Sequence, residues 1–117
     1  MSQTANKSSE IANKLHAVTQ HIKAAEAAAN RANGCVQLIA VSKTKPPEDI
    51  LAAMAAGQLA FGENYAQELA QKAELIRGAE WHFIGPLQSN KAKLIANVAT
   101  WVHSIDRLKI AQRLNEQ

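Results

Sequence analysis

The sequence predicts an α/β fold in which a first helix and four βα units make about the first half of a (β/α)8 TIM-type barrel. Short apolar segments alternate with helical segments, and the apolar starts recur roughly every 20 residues, a period typical of a repeated structural unit. A polar loop follows each apolar segment. Such alternation is typical of right-handed parallel βαβ units. An open, doubly wound four-stranded sheet is the alternative, but nothing in the sequence marks the point where its strand order would reverse.

The N-terminal part is predicted to contain one helix before the repeating units begin. Residues 1–10 are polar and are predicted to be a flexible N-terminus, whereas residues 11–117 are predicted to form one domain. Within residues 11–30, Leu15, Val18 and Ile22 recur at helical spacing, and Gly34 is a good stop signal beyond them. We therefore expect a helix from Ile11 to Asn30, with Ser9 as a possible cap.

Four strands and four helices are then predicted in strict alternation, with proline or glycine at several of the boundaries. The predicted strands are Val36–Val41, Leu59–Gly62, Trp81–Ile84 and Trp101–Ser104. The predicted helices are Glu48–Ala56, Ala66–Arg77, Asn90–Val98 and Arg107–Asn115. The first strand is apolar throughout, which predicts burial on both of its faces.

Composition excludes several classes of protein. The 117 residues are 47% hydrophobic and 20% charged, and the net charge of +3 is scattered without interleaved aromatics, so a nucleic-acid surface is not expected. Cys35 is the only cysteine, which excludes an internal disulfide and fits a reducing compartment. No segment resembles a signal peptide or a membrane span. We therefore expect a cytoplasmic protein without a membrane partner.

Polar residues follow each predicted strand, where barrels carry their ligand sites. Lys43 comes directly after the first strand, so its amine is a candidate for Schiff-base chemistry with a carbonyl compound. The alternative is an ordinary lysine at the rim of the sheet. Lys45 would add positive potential beside it and favour the neutral amine on Lys43. No metal-ligand spacing and no nucleophile paired with histidine is recognisable.

The remaining polar candidates each have a structural alternative. Asn64 and Asn90 could cap helices, and so could Asp106. His82 lies inside a predicted strand, where a hydrogen-bonded core histidine is the more frequent case. The two histidines of the first helix, His16 and His21, are predicted to be surface residues.

Together these segments resemble the pyridoxal phosphate homeostasis protein family (YggS/PROSC), whose barrel is similar to the N-terminal domain of alanine racemase. Four segments, in order and at successive strand ends, carry the resemblance. They are Leu38-Ile39-Ala40-Val41-Ser42-Lys43-Thr44-Lys45-Pro46, Phe61-Gly62-Glu63-Asn64-Tyr65, Trp81-His82-Phe83-Ile84-Gly85-Pro86-Leu87-Gln88-Ser89-Asn90-Lys91 and His103-Ser104-Ile105-Asp106-Arg107.

The resemblance implies that Lys43 holds pyridoxal 5′-phosphate (PLP) as an aldimine, and we expect the cofactor ring among Asn64, His82 and Ser104. It implies a role in vitamin B6 homeostasis without an established reaction, and leaves apo-enzymes that use PLP as candidate recipients. A PLP-dependent amino-acid racemase is the alternative, for which Tyr65, the only tyrosine, would be the second acid/base to test. Family members are about twice as long, and the loops that hold the phosphate lie in their second half. We therefore expect this chain to bind PLP weakly and to self-associate.

Overall fold

The structure of the chain, a computed structural model, describes residues 3–117. The helices are α1 (Gln3–Ala28), α2 (Pro47–Ala55), α3 (Ala66–Leu75), α4 (Ala92–Val98) and α5 (Leu108–Asn115), with a 3-10 turn at Ser89–Lys91. The strands are β1 (Ala40–Val41), β2 (Ala60–Glu63), β3 (Glu80–Phe83) and β4 (Trp101–Val102). A first helix and four βα units are therefore present, as predicted.

The chain divides into two compact units, and the first contains α1 and nearly all of α2. Ile50 and Ala53 of α2 are buried, and Lys7 on α1 forms an ion pair with Asp49 on α2 at 3.0 Å. Beyond α1, the Glu26 carboxylate accepts the backbone N–H groups of Val36 (2.9 Å) and Gly34 (3.3 Å). This carboxylate therefore fixes the path of the chain after the helix.

The second unit contains the sheet, in which all strands are parallel and the order is β1-β2-β3-β4. No strand is inserted between neighbours and the order does not reverse, as expected for consecutive units of a barrel rather than for a doubly wound sheet. The α/β class and the barrel-type order are confirmed.

The register places side chains on two distinct faces of the sheet. Gly62, His82 and Trp101 lie opposite one another on one face, because partners in register point the same way. Glu63 and Phe83 point to the other face, where the α3 residue Lys72 reaches Glu63. The helices cover that second face, and their buried residues Leu69, Ile95 and Ile110 are 0% exposed. On the first face, Val41 and Trp101 remain exposed.

The first helix and the first strand differ most from the prediction. The first helix begins at Gln3 rather than at Ile11, so Ser9 lies inside it instead of capping it, while Met1 and Ser2 lie outside the described residues. The first strand is confined to Ala40–Val41, and Val36 is exposed rather than buried. The reason is that backbone groups expected in the ladder are bound elsewhere: Val36 N–H by Glu26 and Leu38 C=O by the Gln58 side chain. That residues 11–117 behave as one domain stays a prediction.

Candidate functional site

The four residues predicted to bind the cofactor lie on or shortly after the four successive strands of the sheet, all in the second unit. Lys43 follows β1, Asn64 follows β2, His82 is the third residue of β3, and Ser104 follows β4. Because the strands are parallel, the three loop residues lie beyond the carboxyl ends of the strands, on the same side of the sheet. His82 differs in that it lies within its strand.

Gly85 brings Asn64 and Ser104 to the same short segment. The Ser104 hydroxyl donates to the Gly85 carbonyl, and Gly85 lies so close to Asn64 that a Cβ atom there would be 2.3 Å from the Asn64 carbonyl oxygen. The loops after β2, β3 and β4 are thus in direct contact. The side-chain oxygen of Asn64 is buried and has no hydrogen-bond partner among the described residues. It is an acceptor at the strand ends that remains available to a donor.

His82 is buried (3% exposed) and both of its ring nitrogens are bound. Its Nε2 lies 2.7 Å from Glu80 Oε1, and its Nδ1 lies 2.9 Å from Nε2 of His103. A carboxylate can only accept, so His82 Nε2 donates, and in the neutral ring Nδ1 then accepts from His103. The ring also stacks on Trp101, with 6.3 Å between centroids and 9° between planes. His82 is therefore a buried, hydrogen-bonded histidine, as its structural alternative predicts. His103, the outer member of the hydrogen-bonded series Glu80–His82–His103, is exposed.

Lys43 lies in the turn between β1 and α2, and its side chain is exposed. Within the part of the chain that the structure describes, no hydrogen bond or ion pair holds its amine. The backbone on either side is bound firmly: the Thr44 hydroxyl donates to the Lys43 carbonyl at 2.6 Å, and Lys45 N–H donates to the Ser42 carbonyl at 3.0 Å. A free amine on a well-held loop is the arrangement that covalent attachment requires.

A buried ion-pair cluster, formed by Glu63, Glu68 and Lys72, lies directly beside this loop. The Lys72 ammonium donates to Glu63 Oε2 at 2.8 Å, to Glu68 Oε2 at 2.9 Å and to the Ser42 carbonyl at 2.6 Å. The Ser42 hydroxyl donates to Glu63 Oε2, and the Thr44 N–H donates to Glu68 Oε2 at 2.7 Å. This cluster was not predicted from the sequence. The signal that could have revealed it is Glu63, because a carboxylate at the end of a buried strand requires a cation nearby.

The two carboxylates of the cluster have pKa values shifted in opposite directions. Burial raises the pKa of the Glu63 carboxyl above its ordinary value, and the hydrogen bonds from Lys72 and Ser42 offset this only in part. Burial acts in the same direction on Glu68, but there the hydrogen bonds from Lys72 and the Thr44 N–H outweigh it and lower the pKa. The carboxylate that binds the loop backbone is thus the one held in its charged form.

A cavity lies beside the strand ends, next to the first residues of α3. The cavity has a volume of about 480 Å³ and is lined by Asn64, Tyr65, Ala66, Gln67, Phe83, Pro86, Leu87, Gln88 and Lys91. Tyr65, the candidate for a second acid/base, is exposed here. Among residues 3–117 no group of three or more metal-ligating side chains is present, and no helix is long and apolar enough to cross a membrane.

No family model matches this chain, but curated proteins and solved structures do. It is 51% identical over 115 residues to the pyridoxal phosphate homeostasis protein of Vibrio alginolyticus, an alignment that covers 93% of this chain and 49% of the relative. The predicted resemblance is confirmed. The chain spans about half the length of the curated relatives it matches.

Solved structures give the same result for the fold. PipY of Synechococcus elongatus, in a structure with PLP bound, is 40% identical with a TM-score of 0.74, covering 91% of this chain and 47% of PipY. An unknown protein from Bifidobacterium adolescentis is 31% identical with a TM-score of 0.87, covering 99% of this chain and 51% of that protein. The strand order and the strand-end loops described above therefore belong to a fold shared with a PLP-bound protein.

Proposed function

We propose that this chain carries the lysine-bearing part of a PLP-binding site and that its role is in PLP homeostasis. The observation that carries the proposal is the free, exposed Lys43 amine, placed at the carboxyl end of β1 in a chain similar to PLP-bound PipY. PLP supplies an aldehyde carbon to which a lysine nitrogen adds with loss of water. Lys43 is the residue that provides this nitrogen.

The residues present fit the aldehyde and ring end of the cofactor. The Asn64 side-chain oxygen lacks a partner among the described residues, and it lies beside the segment to which Ser104 is bound. His82 acts through His103, because both of its own nitrogens are already bound.

The wider role is inferred from the curated relatives, which are named pyridoxal phosphate homeostasis proteins. The protein holds PLP reversibly in the cytoplasm and passes it to apo-enzymes that use it, without turning over an amino acid itself. The racemase alternative is tested directly by incubating the PLP-loaded chain with L-alanine and measuring D-alanine. Racemisation that disappears in Tyr65→Phe would replace the homeostasis role with catalysis.

Peptide mapping after borohydride reduction tests the attachment residue. The parent chain, mixed with PLP and reduced, should carry the pyridoxyl group on Lys43. Lys43→Ala should lose this label and the visible absorbance of the bound cofactor, whereas the neighbouring Lys45→Ala should keep both. A label found on Lys45 with Lys43 unmodified would refute the assignment.

The ring-side residues need a separate test, because each has a structural role as well. Asn64→Ala, His82→Ala and Ser104→Ala should each change the absorbance of bound PLP or weaken its affinity in a titration. Urea denaturation of the same variants shows whether the change comes from unfolding. If all three bind PLP like the parent, the ring lies elsewhere.

A further inference from the structure

We infer that the buried ion-pair cluster of Glu63, Glu68 and Lys72 is the positioning device for Lys43. It fixes the backbone on both sides of this residue and thereby sets where the free amine lies. Lys43 itself needs this support, because its side chain is exposed and its amine has no hydrogen bond or ion pair in the part of the chain that the structure describes. This inference rests on the proposed function only for the identity of the ligand, PLP.

Both neighbours of Lys43 are bound to the cluster. On one side, the Ser42 carbonyl accepts from Lys72 at 2.6 Å while the Ser42 hydroxyl donates to Glu63. On the other side, the Thr44 N–H donates to Glu68 at 2.7 Å. These bonds connect the end of β1 to β2 and α3, so the position of the loop follows from two rigid elements rather than from the loop itself.

Thr44 has a backbone conformation that needs such support. Its φ of 63° lies in the left-handed region, which a β-branched residue adopts only when its surroundings hold it there. The Glu68 carboxylate binds the N–H of this residue, and the Thr44 hydroxyl binds the Lys43 carbonyl. Without Glu68, the peptide after Lys43 is free to turn to an ordinary conformation, and the direction of the lysine side chain changes with it.

Stability alone does not account for the cluster. The side chains of Lys72 and Glu63 are 6% and 0% exposed, and an ion pair buried this deeply is often no more stabilising than apolar side chains of similar size. An apolar pair, however, cannot hold the Ser42 carbonyl. The three donors of the ammonium are instead used on three acceptors from different parts of the fold. What the cluster provides is a fixed backbone conformation on both sides of Lys43.

The sharpest variant is Glu68→Ala, because the Glu68 side chain is the most exposed of the cluster at 24% and Lys72 keeps Glu63 as its partner when Glu68 is removed. Glu74→Ala is the matched control, since Glu74 is exposed on the same helix and makes the same change in composition. Two measurements need no cofactor: the hydrogen-exchange rate of the Thr44 amide, and the rate at which an acylating reagent modifies Lys43 relative to Lys45. A PLP titration is the third.

Glu68→Ala should accelerate exchange at Thr44 by about tenfold or more, the loss expected for a charge-assisted hydrogen bond. It should change the Lys43-to-Lys45 acylation ratio and weaken PLP binding by a similar factor, while Glu74→Ala changes none of these. Unchanged exchange and acylation in Glu68→Ala would overturn the inference. If the parent chain itself does not bind PLP, the proposed function fails, but the exchange and acylation results still decide the positioning role.

The double variant Lys72→Met/Glu63→Leu separates positioning from stability. Lys72→Met alone leaves Glu63 buried without its cation and should lower the free energy of unfolding, whereas the double variant should regain much of it. Lys43 acylation should remain altered in the double variant, because the Ser42 carbonyl still lacks its donor. Recovery of both stability and parental acylation would show that the cluster only stabilises the fold. Lys93→Met, at an exposed lysine of α4, is the control for removing a lysine.

Discussion

At the scale of single residues, Gly85 shows how a missing side chain brings two loops together. A Cβ atom at this position would lie 2.3 Å from the carbonyl oxygen of Asn64 and 2.8 Å from its Cα, and neither backbone atom can move away cheaply. The close approach also presents the Gly85 carbonyl to Ser104. A side chain at residue 85 would therefore separate three strand-end loops.

Gly85→Ala should lower the free energy of unfolding by about 1–3 kcal/mol, the usual cost of overpacking. Gly62→Ala is the comparison, because its Cβ would meet the end of the flexible Ile84 side chain at 2.9 Å. The Gly62 variant should lose less. Urea denaturation of both measures the difference, and a larger loss for Gly62→Ala would mean that the Asn64 backbone yields more easily than its packing indicates.

Single residues also show how far the sequence could predict the site. Lys43, Asn64 and Ser104 lie at the strand ends as expected, because the strand boundaries fix them. The partners of these residues were not foreseen: Lys72 binds Ser42 across 30 positions of sequence, and His82 meets His103 across 21. Only strand pairing and helix packing bring such residues together. A local clue existed in Glu68 and Lys72, which are four residues apart on one helix.

At the scale of elements, the apolar residues of α5 differ sharply in what they contribute. Ile110 is 0% exposed, whereas Leu108, in the same helix, is 74% exposed. The other helices of the sheet follow the same rule, since Leu69 of α3 and Ile95 of α4 are also fully buried. Each of α3, α4 and α5 contributes only one or two buried apolar side chains to the packing of its unit.

Ile110→Ala should therefore cost about 2–5 kcal/mol of unfolding free energy, because it removes buried atoms and leaves a cavity. Leu108→Ala deletes a similar volume from the surface of the same helix and should change it by no more than about 0.5 kcal/mol. Thermal or urea unfolding of the pair tests this. Equal losses would show that α5 does not pack through Ile110.

The segment that follows α1 is bound by one carboxylate, that of Glu26. The free energy of unfolding should therefore depend on the charge of this group and on pH. Hydrogen bonds from the Val36 and Gly34 N–H groups lower the pKa of Glu26 below its ordinary value of 4.5. A lowered folded-state pKa means that the contribution is present above that value and is lost as the pH falls below it.

Glu26→Gln should consequently be less stable than the parent near neutral pH and should lose less on acidification below 4.5. Glu68 and Glu63 titrate in both proteins, so the difference between the two curves reports Glu26 alone. Parallel curves over the acid range would contradict this role. The measurement is urea unfolding at a series of pH values.

The elements themselves were predictable in kind but less so in length. β2 and β3 are each displaced by one residue from the prediction, because apolar periodicity does not mark where pairing stops. The predicted helix Asn90–Val98 begins as a 3-10 turn at Ser89–Lys91, before α4. The first strand was overextended most, since the sequence gives no sign that Glu26 and Gln58 bind its backbone. Side chains far away in sequence decided that boundary.

At the scale of the whole molecule, the described sheet has two unpaired edges, and each edge strand carries an exposed apolar side chain. β1 and β4 each pair on one side only, and Val41 and Trp101 are 53% and 58% exposed. Unpaired strand edges and exposed apolar surface both favour association with another chain. These two features are the physical basis for the prediction that this chain self-associates.

Light scattering over a range of concentrations should detect particles larger than the monomer. Val41→Lys should shift the population toward the monomer, because a lysine on an edge strand opposes pairing. Leu75→Lys is the control: Leu75 is 71% exposed but lies on α3, on the helix side of the sheet. A parent chain that stays monomeric, or a control that acts as strongly as Val41→Lys, would contradict association through the sheet.

The strand order has a further consequence for how the chain folds. Every strand of the described sheet pairs only with strands adjacent to it in the chain. Each new strand pairing therefore closes a loop of about 20 residues, shorter than pairing with any non-adjacent strand would require, so the entropy cost of each step stays small. The β2 ladder needs only the segment before it, and each later βα unit adds to an edge that already exists. The sheet can grow one unit at a time, in the order in which the ribosome delivers them.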